Sequence, residues 1–204
     1  MLLAGKIAVV TGAAGNLGSA TARELALEGA KVVASDLPGD RLDPVVASIR
    51  QAGGHAVAHP ADLSSEAEIA ALIARAKAEY GGLDLLPNVA AHMREIDKDR
   101  DLLAMDPAYW DKAMAINLRG PMLACKHAIP EMLARGGGSI VTFGSTAGQM
   151  GDIGLFAYSA TKAALGSLAR SIATTYGKQN IRANCVCPGS VWPDRKSTRL
   201  NSSH

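Results

Sequence analysis

The chain has 204 residues, 48% hydrophobic, 20% charged and 4% aromatic, with a formal charge of +2. That composition supports one well-buried domain and excludes a disordered or low-complexity chain. No apolar run approaches the roughly eighteen residues that span a bilayer, and the near-balanced charge offers no face to a polyanion, so neither membrane nor nucleic acid is expected as a partner.

In chain order the pattern opens with an apolar strand over Ile7–Thr11, a glycine-rich turn, and a helix carrying Leu17, Ala20, Leu25 and Glu28 at helical spacing. The same alternation predicts strands at Lys31–Ser35, His55–His59 and Leu83–Leu86, with helices at Leu42–Ala52 and Ser65–Tyr80 between them. The stretch Arg94–Asp101 reads as a solvated loop. A long helix is expected from Asp106, whose carboxylate caps it with Pro107 in the first turn, to about Leu133. A strand at Ser139–Phe143, a helix at Phe156–Tyr176 and a strand at Ile181–Cys187 complete the chain. Alternating elements of this kind build an α/β fold, a doubly wound parallel sheet of six strands with helices on both faces.

Cys125, Cys185 and Cys187 form no disulfide framework, and the last two share one side of a strand, so all three read as core thiols of a reducing compartment. No third and fourth ligand is spaced for zinc, and no metal is expected. The start of the chain lacks the features of a secretory signal, which makes the cytoplasm the expected location.

Three groups of residues carry chemistry. Thr11-Gly12-Ala13-Ala14-Gly15-Asn16-Leu17-Gly18 lies between the first strand and the first helix, where a backbone free of side chains approaches a pyrophosphate at the helix N-terminus. Asp36 ends the second strand, where a carboxylate accepts hydrogen bonds from ribose hydroxyls and repels a 2′-phosphate, which favours NAD over NADP. Tyr158 and Lys162 lie four apart on one helical face, and an ammonium beside a phenol lowers its pKa.

The chain resembles the classical short-chain dehydrogenase/reductase family over residues 5 to about 192. The resemblance rests on TGAAGNLG at 11–18, Asp62-Leu63, Pro-Asn-Val-Ala-Ala at 87–91, Asn117 in INLRG, Ser145 in FGSTAG, YSATK at 158–162 and NCVCPG at 184–189. It implies a Rossmann-type fold and an NAD(P)-dependent oxidoreductase that interconverts a secondary alcohol and a ketone by hydride transfer. By the same resemblance Tyr158 is the general acid/base, Lys162 lowers its pKa and holds the nicotinamide ribose, Ser145 steadies the substrate oxygen, and Asn117 holds a water on a proton path. Gly12, Gly15, Asn16, Leu17, Gly18 and Asp36 would bind the dinucleotide, Asp62 and Leu63 the adenine, Asn88 and Ala90 the cleft wall, and Pro188, Gly189 and Val191 the nicotinamide end. A homodimer or homotetramer through the two long helices is also implied.

The pattern departs from the family in places. Glycines at 12, 15 and 18, with Asn16 where the classical branch has glycine, match the extended branch of sugar-nucleotide epimerases and dehydratases. The short separation of Ser145 from Tyr158, NLRG and NCVCPG favour the classical branch. Pro87 is expected at the end of a central strand, where it cannot donate to the ladder, and Thr142 and Gly144 replace residues more usual in the family. After Pro193 the family continues into a covering helical segment and a seventh strand, whereas residues 195–204 resemble an artefactual tail. The expectation is therefore a single domain over 1–194, incomplete at its C-terminus, with an open edge at the sixth strand, poor solubility and weak turnover. A non-catalytic NAD-binding fragment and an extended-branch epimerase stay open as alternatives. His92, Met93, Gln149, Met150, Asp152 and Trp192 are the residues expected to shape the substrate pocket.

Overall fold

The structure is a computed structural model that describes residues 1–39 and 41–191. Trp192 and the expected tail at 195–204 lie outside the described residues. Six strands form one parallel sheet: β1 (Ile7–Thr11), β2 (Lys31–Ser35), β3 (His55–Ala58), β4 (Leu85–Asn88), β5 (Gly138–Phe143) and β6 (Ile181–Val186), in the order β3-β2-β1-β4-β5-β6. The helices are α1 (Asn16–Leu27), α2 (Leu42–Gln51), α3 (Glu66–Tyr80), α4 (Pro107–Met114), α5 (Gly120–Ala134) and α6 (Phe156–Tyr176).

Alternation along β1 shows why both faces are covered. Ile7 and Val9 pack with Ile69, Leu72 and Ala76 of α3 and Leu123 and Ala128 of α5. Ala8 and Val10 pack on the other face, with Ala22 and Ala26 of α1 and Val45 and Ile49 of α2. A strand buried on both sides reads as a continuous apolar run, as Ile7-Ala-Val-Val10 does. The order in which strands are added switches sides between β1 and β4, and in such sheets the crevice at the strand C-termini at that point is where ligands bind.

Several boundaries differ from the sequence reading. β4 runs two residues later than expected, because Asp84 is buried as an anchor. Its carboxylate accepts from Ile7 N (2.9 Å) and Arg135 Nε (3.0 Å), and its carbonyl accepts from Ser139 N (2.8 Å). Pro87 consequently lies inside the strand, paired with Val141 of β5. On the β1 side only Ala8–Leu85 and Thr11–Asn88 are matched, and the Thr11 hydroxyl accepts from Val89 N (3.2 Å) and Ala90 N (3.4 Å).

The expected long helix begins as predicted, with the Asp106 carboxylate accepting from Ala108 N at 2.9 Å and Pro107 in its first turn. It is then interrupted by a π-helical turn over Ala115–Arg119 that holds Asn117. Cys185 and Cys187 are half-buried rather than core residues, because β6 is an edge strand among the described residues. The stretch Arg94–Asp101 is not a solvated loop throughout, since Asp99 is 0% exposed.

Candidate active site

A cleft of about 710 Å³ opens at the C-terminal ends of the strands, lined by the segments that leave all six of them. Its size falls in the usual range for small-molecule sites. The turn after β1 is shaped by what its glycines exclude. Gly12 has φ +67°, and a Cβ there would lie 2.7 Å from Ala90 Cα. A Cβ on Gly18 would lie 2.0 Å from Gly12 O, so α1 packs against its own turn at a distance only glycine allows. Gly18 is thus a packing residue behind the wall, whereas Gly12, Gly15, Asn16 and Leu17 line the cleft. The first turn of α1 carries no acidic residue, and Gly15 provides no side-chain cap. A bare helix N-terminus with a side-chain-free approach fits a pyrophosphate.

Asp36 stands on the rim beyond β2, with Oδ2 accepting from Ala14 N (2.9 Å) and Oδ1 from Leu37 N (2.8 Å). These bonds tie the carboxylate to the glycine turn and leave each oxygen a free lone pair. Asp62, Leu63 and Ala90 line the cleft, as do Pro188, Gly189 and Val191. Asn88 does not. It is buried beneath the wall, with Nδ2 facing Cys125 Sγ at 3.6 Å.

Tyr158, Lys162 and Ser145 meet on the opposite wall. Lys162 Nζ lies 5.5 Å from the Tyr158 ring centroid and donates to Phe143 O at 2.6 Å. Burial holds the Lys162 ammonium down at about 8, with Cys185 and Cys187 opposing. The Tyr158 phenol departs from the sequence expectation: burial pushes its pKa up, against a smaller downward pull from the Ser145 hydroxyl. The ammonium is spent on the Phe143 carbonyl, so desolvation dominates at the phenol.

Asn117 is also buried and off the cleft wall, its Oδ1 accepting from His92 N. No hydrogen bond joins it to Lys162 among the described residues. It fixes the segment after β4 that brings His92, Met93 and Arg94 to the cleft. Burial and, secondarily, Lys112 lower the pKa of His92.

Three residues escaped the sequence reading. Arg41 and Arg94 bring cations to the rim, and only the folded chain shows that they converge there. Asp99 accepts from Ala157 N (2.8 Å) and Tyr158 N (2.9 Å) through its carboxylate, and from Leu155 N (2.7 Å) through its carbonyl. It therefore caps α6 at the residue that carries the phenol, where Leu155 turns into the helix with φ 60°. The missed signal was a lone acid far in sequence from the helix it caps.

Comparison with known proteins identifies the family. Residues 6–202 match the family model described as short chain dehydrogenase. A probable short-chain type dehydrogenase/reductase of Bradyrhizobium diazoefficiens is 43% identical over 198 residues, covering 97% of this chain and 70% of that protein. The cis-4-hydroxycyclohexanecarboxylate dehydrogenase of Sinomonas cyclohexanicum is 41% identical over 184 residues, 90% of this chain and 72% of that one. The crystal structure of a dehydrogenase/reductase from Sinorhizobium meliloti superimposes with a TM-score of 0.87 at 38% identity, covering 94% of this chain and 75% of that chain. The chain belongs to the short-chain dehydrogenase family, whose dehydrogenases are NAD(P)-dependent oxidoreductases.

Proposed function

We propose that the protein interconverts a secondary alcohol and a ketone, with residues 1–194 acting as one dinucleotide-binding domain. The observation that carries this reading is the meeting of Tyr158, Lys162 and Ser145 across one cleft from the glycine turn and Asp36. Gly12, Gly15, Asn16 and Leu17 would hold the pyrophosphate, Asp36 the adenosine ribose, Asp62 and Leu63 the adenine, and Pro188, Gly189 and Val191 the far end. The bound nicotinamide supplies the hydride acceptor or donor.

Tyr158 takes the proton from the alcohol oxygen, or returns it to the ketone, while the Ser145 hydroxyl donates to the same oxygen and steadies its charge. Lys162, charged below about 8, holds its ammonium 5.5 Å from the Tyr158 ring centroid, where its charge favours the phenolate. Asn117 acts on this relay through the segment carrying His92. Met93 and Ile116 give the substrate end an apolar lining, which suits a ring alcohol of the kind for which the Sinomonas relative is named.

Asp36 supports a preference for NAD. A second reading, NADP, is favoured by Arg41 on the same rim. Parallel titrations with NADH and NADPH separate the two. We further propose a cytoplasmic homodimer or homotetramer built on the faces of α4, α5 and α6.

The decisive experiment is Tyr158→Phe, assayed on a panel of ring and open-chain secondary alcohols. Turnover should fall by about 10²–10⁴-fold while NADH binding, followed by fluorescence, is nearly unchanged. Turnover that survives the substitution refutes the mechanism. Binding with no turnover in the parent favours an NAD-binding fragment, and sugar-nucleotide conversion without net NADH favours an epimerase.

A further inference from the structure

The charged groups lining the cleft are sorted by strand. Asp36, Arg41 and Asp62 follow β2 and β3, the half of the sheet proposed to take the adenosine. On the other side of β1, among the described residues, the charged lining groups are Arg94, after β4, and Lys162, on α6. His92 adds no charge there, because burial first, then Lys112, lowers its pKa and leaves the imidazole neutral at pH 7. Lys162 already donates to Phe143 O at 2.6 Å. Residues 192–204 do not reverse the sign of this half wherever they lie, since they hold one acid, Asp194, against Arg195, Lys196 and Arg199. Arg94 is therefore the cation that the substrate end offers to an incoming group.

The acid next to Arg94 in the chain is engaged elsewhere. The Glu95 carboxylate accepts from Lys98 Nζ at 2.6 Å and from Lys112 Nζ at 3.2 Å, and these two ammoniums hold its pKa down at about 2. Glu95 also turns the chain through φ 60°, with Lys98 N donating to its carbonyl at 2.9 Å. The side chain of Glu95 thus meets the lysines while Arg94, one residue earlier, lines the cleft. On the other side, the bond from His92 N to Asn117 Oδ1 pins the start of the same segment. A guanidinium carried between two such anchors presents a planar fork of donors, which matches a carboxylate through two parallel hydrogen bonds.

We propose that Arg94 is the specificity-determining residue of the substrate end and selects a ring alcohol that carries a carboxylate, gripping the carboxylate while Ser145 and Tyr158 hold the carbinol oxygen. This rests on the dehydrogenase reading and narrows its substrate class. Met93 and Ile116 supply the apolar surface for the ring between its two polar ends. The carboxylate takes no part in the redox step; held at one end, it orients the carbinol carbon at the other. Arg94 is exposed, so water and salt screen the pair, and its effect is modest.

The test loads the full chain with NADH, with which an alcohol cannot react. It then titrates meta- and para-hydroxycyclohexanecarboxylate, each against its uncharged carboxamide, following NADH fluorescence. At least one acid should bind about 5–10-fold more tightly than its carboxamide, and the gap should narrow in about 0.5 M salt. Arg94→Gln should bring that acid to within about twofold of the carboxamide, whose own affinity and that of NADH stay as they were, and Arg94→Lys should restore part of the gap. Equal binding of acids and carboxamides in the parent, a gap that survives Arg94→Gln, or no binding of any of these compounds overturns the proposal. An NADH affinity that falls in Arg94→Gln as much as the acid's does overturns it too, by assigning the guanidinium to the dinucleotide phosphates. The readout is binding without turnover, so a parent that keeps the gap yet oxidises no alcohol supports the assignment of Arg94 and counts against the Tyr158 mechanism alone.

Discussion

Replacing Asp99 by Ala removes the carboxylate that accepts from Ala157 N and Tyr158 N at 2.8 and 2.9 Å, in a place with 0% exposure. Water cannot replace those acceptors without opening the packing around them. Leaving a buried donor unpaired costs about 1–3 kcal/mol and losing a helix cap typically about 1 kcal/mol, so the pair is worth about 2–4 kcal/mol. For a chain of this size that is a fall in Tm of roughly 5–15 °C. If the first turn of α6 instead frays while the rest holds, Tyr158 shifts, and a displacement of about 1 Å costs on the order of 10²-fold in turnover. Asp99→Asn preserves the shape and one acceptor, and should fall between Ala and the parent in both respects. The assay is thermal unfolding by circular dichroism together with turnover and NADH titration on the same samples. Dinucleotide affinity should change little, because the glycine turn and Asp36 stand on the far wall. An Asp99→Ala protein whose Tm stays within about 2 °C of the parent, with turnover intact, refutes the argument.

The remaining expectations follow from the cleft. Lys162 titrates at about 8 against an ordinary 10.5. Below about 8 both folded and unfolded chains hold the proton, and the full cost of burying the charge is present; between about 8 and 10.5 the folded chain releases it first, so stability rises with pH. Lys162→Met should therefore be inactive yet more stable at pH 7 by about 2 kcal/mol, after allowing for the lost bond to Phe143 O, with the gain shrinking by pH 10 in denaturant titrations. Gly18→Ala places a Cβ 2.0 Å from Gly12 O and should cost about 1–3 kcal/mol with loss of NADH binding. Gly151→Ala, which meets nothing within 4 Å, should stay within about 0.5 kcal/mol. Asp36→Ser removes a negative charge from the rim and should move the NADPH-to-NADH affinity ratio upward by about tenfold, read by fluorescence titration.

Much of this architecture is legible in the sequence because its signals are local. The apolar run at Ile7–Val10 and the helical pattern of Phe156–Tyr176 coincide with β1 and α6 as found. Asp106-Pro107 announces its helix through capping chemistry confined to one turn. What escapes depends on partners distant along the chain. Asp84 delays β4 because it serves Ile7 and Arg135. Asp99 looks like one more surface acid among Asp97, Lys98, Arg100 and Asp101 until α6 closes over it. In the site itself, the spacing of Tyr158 and Lys162 correctly brings them to one wall. The direction of the Tyr158 shift is not legible there, because it depends on burial and on where the ammonium places its hydrogen bond, neither of which spacing encodes.

The π-helical turn at Ala115–Arg119 carries one residue more than a regular turn would need. A π turn takes up an extra residue without rotating the helix on either side of it, so deleting one residue there would restore α-helical spacing and leave Leu123, Ala124 and Ala128 facing the sheet. What the deletion would remove is the bulge that carries Asn117, and with it the bond to His92 N. The extra residue therefore serves the segment after β4 rather than the packing of α5.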